Sequence, residues 1–149
     1  MRILRLSLIC LLWALPLLLI MPTVASAQSL PNPILYLART EPYEQSGKKF
    51  VKYHFGVDNY EAFPTQMFAA APELPPCGHN TKSSRTWVDI YTQSGKRLYG
   101  FCAFTKSAEL GDVWFVLEEG VMPPSWVYIE LTDRKTNNKY KSNLAETSL

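Results

Sequence analysis

Between residues 51 and 57 the chain alternates strictly, with Val51, Tyr53, Phe55 and Val57 on one side and Lys52, His54 and Gly56 on the other. A period of two sends successive side chains to opposite faces of an extended backbone. The segment is therefore predicted to be a strand with its apolar face on a core and its polar face, His54 included, toward solvent. The run ILYLART at 34–40 precedes it, and Ser46-Gly47 between the two supplies the positive-φ residue of a tight hairpin turn.

The tetrapeptide Gln-Ser-Gly-Lys of that turn recurs at 93–96, between RTWVDIYT and RLYGFCAF. Four residues are too short a match for an internal repeat, and shared turn chemistry accounts for it. With Ser94 and Gly95 as the loop of a second hairpin, Tyr91 faces Leu98, Asp89 faces Gly100 and Trp87 faces Cys102 on one side. On the other side Ile90 faces Tyr99 and Val88 faces Phe101. Apolar residues on both sides predict an interior hairpin, its Trp87 side covered by the Pro-rich segment 72–84, PELPPCGHNTKSS.

Three more strands are predicted, in DVWFVLEEG, in PPSWVYIELTD and in KYKSNLAET after the RKTNN loop. No window keeps the i, i+3, i+4, i+7 spacing of a long amphipathic helix. About seven short strands divided by turn chemistry predict an all-β fold, a two-sheet antiparallel β-sandwich. The strand beginning SWVYIEL, followed by an Asn-Asn loop, resembles the last two strands of fibronectin type III and related immunoglobulin-like domains, and the resemblance extends over most of residues 32–145. It implies an immunoglobulin-like sandwich in which Tyr53 or Phe55 stands where a second-strand tryptophan is expected. The stretch SRTWVDIYTQSGKRLYGFCAF is also similar to small exported bacterial proteins, a likeness that implies a location and no activity.

The location has its own signal. Arg2 and Arg5 precede a long apolar stretch, residues 6–22, and TVASAQ then places Ala25 and Ala27 as the small residues of a cleavage site. This predicts a signal peptide over 1–27, a mature domain over 28–149, and an extracytoplasmic protein, periplasmic or secreted, with no stable membrane anchor. An uncleaved anchor is the alternative, since the stretch nearly reaches spanning length. Fifteen Lys and Arg stand against thirteen Asp and Glu, and two of the fifteen are Arg2 and Arg5, so the mature chain is balanced. A balanced chain offers no electrostatic footprint for nucleic acid or anionic lipid.

An oxidising compartment changes the reading of cysteine. Cys10 leaves with the leader, and Cys77 and Cys102 remain, an even count that predicts a disulfide between them. In the chain-entropy model such a closure is worth about 3.5 kcal/mol. A metal centre would need more ligands than His54 and His79 supply, and neither CxxC nor HExxH occurs, so neither metal nor cofactor is expected. His79, between Gly78 and Asn80, reads as a solvated turn residue.

Enzymatic constellations are absent as well: two histidines, no GxSxG elbow and no glycine-rich phosphate loop. Glu118 and Glu119 are adjacent in a strand, so they point to opposite faces and make no catalytic pair. Asp89, among apolar strand residues, is either a buried functional carboxylate or an acid satisfied by loop backbone. A non-enzymatic domain is thus predicted, a protein-interaction module using sheet edges or loops. The alternative is a glycan-binding module in which Trp114, Trp126, Tyr128 and Tyr60 form an exposed aromatic surface.

Overall fold

The computed structural model describes residues 29–76 and 84–148. Eight strands run β1 (Leu35–Gln45), β2 (Lys48–Val57), β3 (Thr86–Thr92), β4 (Arg97–Phe101), β5 (Val113–Glu118), β6 (Trp126–Asp133), β7 (Asn138–Lys141) and β8 (Ala145–Glu146). They form two sheets, one ordered β1-β2-β5 and the other β4-β3-β6-β7, with β8 also pairing β6. Every pairing is antiparallel. Three 3₁₀ turns, Tyr60–Ala62, Thr65–Phe68 and Ser107–Asp112, lie in the connections. Among the described residues no helix is long and apolar enough to cross a membrane.

The alternation in β2 does what its period dictates. Tyr53, Phe55 and Val57 are buried, as are Val113 and Phe115 opposite them on β5, and Phe115 stacks on Tyr53 at 5.0 Å and on Phe55 at 5.8 Å. The second sheet answers with Val88 and Ile90 of β3 and Val127, Ile129 and Leu131 of β6, all fully buried. Met67 and Phe68 of a 3₁₀ turn close one end of this core, where the Thr86 hydroxyl donates to the Met67 carbonyl at 2.5 Å. A fully buried side chain of this size contributes roughly 1.5–3 kcal/mol relative to an exposed one, so the interlocked inner faces dominate stability.

Both hairpins form where the turn chemistry places them. Ser46 and Gly47 have φ of 53° and 73°, and Gln45 pairs Lys48, which makes a two-residue turn with both central residues left-handed. The second turn departs from the predicted two-residue loop. Val88 faces Phe101, Asp89 faces Gly100 and Ile90 faces Tyr99, but Tyr91 faces Arg97 and not Leu98. Gly95 N–H donates to the Thr92 carbonyl and Thr92 N–H to the Lys96 carbonyl, both at 2.9 Å. This longer loop has Gly95 at φ 86° and leaves Leu98 as the extra residue of a β-bulge. The ladder stops at Val88 and Phe101, so the predicted Trp87–Cys102 pair is not part of it.

The predicted final strand divides into β7 and β8. Ser142 turns inward, accepting the Ile129 N–H at its hydroxyl, and Asn143 leaves the sheet to grip the start of β1. Its side-chain oxygen accepts the Leu35 N–H at 2.7 Å, and its amide donates to the Leu35 carbonyl at 2.9 Å. One side chain therefore serves as a strand edge for β1 and ties the two sheets together.

Candidate functional site

The four predicted aromatic residues do not share a surface. Trp114 lies on the outward side of β5, opposite His54, in the three-stranded sheet. Trp126 and Tyr128 lie on β6 in the other sheet, whose inner positions are the alternating Val127, Ile129 and Leu131. Tyr60 sits in a 3₁₀ turn, partly buried against the core, with its hydroxyl 3.5 Å from Glu61.

Two of the rings are also covered. Tyr99 of β4 stacks on Trp114 at 4.7 Å, and Lys52 reaches it from β2, its ammonium 4.3 Å from the ring centroid. Tyr128 repeats the arrangement, with Tyr91 of β3 stacked at 5.3 Å and the Lys141 ammonium of β7 at 4.0 Å. In each case the two partners come from opposite neighbouring strands. Such contacts stabilise the sheet by stacking and cation–π attraction, but they occupy the faces a sugar ring would need. Burial, reinforced by the charges of Asp89 and Glu130, pushes the Tyr91 phenol above its ordinary pKa. Trp126 is the exception: 36% exposed, it has no ring or cation partner among the described residues.

Asp89 is engaged by a side chain of the hairpin, where loop backbone was the expected partner. It accepts from Arg97 Nε at 2.7 Å across the hairpin, and this ion pair lies over Gly100, where a Cβ would run into both side chains. Glu118 pairs with Lys48 at 3.1 Å, and Glu119 is exposed.

His54 overturns its prediction. It does lie on the outward side of β2, yet it is 1% exposed. A bulge in β1 between Leu37 and Arg39 brings Arg39 opposite it. Asp112, ending a 3₁₀ turn, places Oδ1 2.5 Å from Nδ1, and Glu41 places Oε2 3.3 Å from Nε2. Arg39 spans the two carboxylates at 3.7 and 3.9 Å. The ring is shut away from solvent, and the cluster clamps β1, β2 and the turn together. Among the described residues no group of three or more His, Cys, Asp or Glu gathers as a metal site.

Cys77 and His79 lie outside the described residues. Cys102 follows β4, and its carbonyl accepts the Ser84 N–H at 2.8 Å. The Trp87 ring is covered by Arg134, whose guanidinium lies 4.3 Å from its centroid. Arg134 also donates to the carbonyls of Pro75 at 2.6 Å and Ser84 at 3.4 Å, so the described flanks of the Pro-rich segment are brought to the Trp87 side through this arginine.

What the sequence reading passed over is the connection between β5 and β6. Val121 is 50% exposed and Met122 89%, followed by Pro123, Pro124 and the half-exposed Trp126. The loop is not slack. Val121 N–H donates to the Glu118 carbonyl, Gln93 N–H to the Trp126 carbonyl, and Thr147 binds the carbonyls of Ser125 and Pro124 through its N–H and hydroxyl. Two apolar residues in front of a proline pair, outside any alternating pattern, were the signal available in the sequence.

Comparison with known proteins yields no match among family models, curated proteins or solved structures.

Proposed function

We propose that this is an exported, non-enzymatic sandwich domain that binds another protein through the end carrying the β5–β6 loop. One observation carries the reading. The two most exposed apolar residues of that loop, Val121 and Met122, are held out from the sandwich by backbone hydrogen bonds on both sides. Exposed apolar residues on a loop whose backbone is already fixed spare the backbone ordering cost on binding and present desolvation energy to a partner. The turns Ser46-Gly47 and Ser94-Gly95 stand at the same end, because β5 ends beside the start of β2 and β6 starts beside the end of β3.

An immunoglobulin-like kinship is part of the proposal, and strand order supports it. In immunoglobulin domains the first, second and fifth strands share one sheet, and the third, sixth and seventh share the other. Here β1, β2 and β5 stand together against β3, β6 and β7, with β4 joined to the second group. The Cys77–Cys102 disulfide belongs to the same reading. Its support is the hydrogen bond from Ser84 to Cys102 and the grip of Arg134 on Pro75 and Ser84, which bring both flanks of residues 77–83 toward the end of β4.

The test is site-specific photo-crosslinking in the cell envelope. A photoreactive residue at position 122 should give a discrete protein adduct that Val121→Asp abolishes with the fold unchanged. The same residue at position 138, exposed at the opposite end, should give none. Equal labelling from both positions would remove the proposed binding end.

A further inference from the structure

Beside the protein-binding loop lies a cavity of about 310 Å³ lined by Thr92, Gln93, Ser94, Pro124, Ser125 and Trp126. We infer that this cavity is a subsite for one ring of a neutral saccharide, with Trp126 as its stacking floor. The inference goes beyond the protein-binding reading and uses a separate set of side chains.

Four properties converge on that ligand class. The first is the free ring. Of Trp114, Tyr128 and Trp126, only the last lacks a stacked aromatic or cation among the described residues, so only it offers a face to the CH groups of a pyranose. The second is the wall. Thr92, Gln93, Ser94 and Ser125 are polar lining residues whose hydroxyl and amide groups can match the hydroxylated rim of a sugar.

The third is charge. Among the described residues no ionisable side chain lines the cavity; Glu146, the cross-strand neighbour of Trp126, is not part of the lining. A ligand carboxylate, phosphate or ammonium seated here would give up part of its hydration and find no counter-charge in the lining. The fourth is rigidity. On one wall Thr92 Oγ1 is 2.9 Å from Ser94 Oγ and accepts the Lys96 N–H at 3.1 Å. On the other, Thr147 fixes the carbonyls of Pro124 at 2.6 Å and Ser125 at 3.2 Å, and Gln93 N–H holds Trp126 at 3.0 Å. A backbone already fixed around the cavity spares the ligand the entropy of ordering it. The volume sits at the low end of the roughly 300–1,000 Å³ typical of small-molecule sites, which suits one ring of an oligosaccharide.

The test is NMR titration of the domain with cellotetraose, chitotetraose and maltotetraose, and with tetragalacturonic acid as the charged control. The indole N–H signal of Trp126 should move with at least one neutral probe, the signal of Trp114 should stay, and the acidic probe should do nothing. Trp126→Ala should weaken that binding at least tenfold. Gln93→Ala, which removes only a wall group, should weaken it several-fold in a domain whose spectrum is otherwise unchanged, so a folding defect at position 126 does not decide the matter. Met122→Asp should leave saccharide binding intact, which separates this site from the protein contact. Failure of all three neutral probes to move the Trp126 signal, or binding that survives Trp126→Ala, would overturn the inference.

Discussion

At the scale of single residues, environment decides chemistry more than residue type does. Asp133 shows this most clearly. Burial alone would push its carboxyl up, but hydrogen bonds from Arg85, Thr136 and the Lys135 N–H, together with the Arg85 charge, outweigh burial and hold it at about 2. Because that value lies below the unfolded one of about 3.9, the carboxylate's contribution is complete above about pH 4 and is lost as the pH falls toward 2. The difference corresponds to about 2–3 kcal/mol. Urea unfolding of wild type and Asp133→Asn across that range should therefore converge: the variant is weaker at neutral pH, where Arg85 has lost its partner, and the gap narrows by about that amount in acid. A gap independent of pH would show that the ion pair does not govern acid sensitivity. His54 teaches the same lesson without a titration. Its polar identity in an alternating strand predicted solvent, but the residues that cover it, Asp112 and Glu41, arrive from 58 residues downstream and from the neighbouring strand. No local pattern contains that information.

At the scale of elements, what was legible is what is local. The alternation in β2, the two Ser-Gly turns and the proline pair before β6 each act within a few residues, and each places a strand or turn where the chain has one. The bulge at Leu98 was not legible, because a two-residue and a three-residue loop differ only in how the same Gln-Ser-Gly-Lys folds. Nor was the break between β7 and β8, whose cause is a contact 108 residues away, from Asn143 to Leu35. That contact is testable. Asn143→Ala removes the partner of both backbone groups of Leu35, and leaving such groups unsatisfied costs about 1–3 kcal/mol. Amide exchange at Leu35 should accelerate about tenfold or more while the Ile129 amide, in the middle of β6, stays protected. Unchanged protection at Leu35 would mean that β1 holds its place through β2 alone.

At the scale of the whole molecule, both sides of the sandwich are closed by side chains. Tyr99, Phe101 and Trp114 bridge the adjoining edges β4 and β5, with centroids 4.7 to 5.6 Å apart, and Asn143 bridges β1 to the other sheet. The end near the start of β3 depends instead on Arg134, with its hold on Pro75, Ser84 and the Trp87 ring, and on the proposed disulfide. The candidate site was half legible: Trp126 stood out as an aromatic strand residue, but its free face became evident only once Trp114 and Tyr128 were found covered by residues from neighbouring strands. Closure of the Pro-rich segment depends on export, since a disulfide persists in an oxidising compartment. The mature protein should begin at Gln28 and, unfolded without reductant, should take up no thiol-alkylating reagent at Cys77 or Cys102. Reduction, or Cys102→Ala, should lower stability by about 3.5 kcal/mol, less any strain in the bond, because reopening the loop returns chain entropy to the unfolded state. Mass spectrometry of the alkylated protein reads the first outcome and denaturant unfolding the second. An N-terminus at Met1 with both thiols alkylated would sink the exported, disulfide-closed domain. Full alkylation after correct cleavage would retain export and leave Arg134 as the fastener of that end.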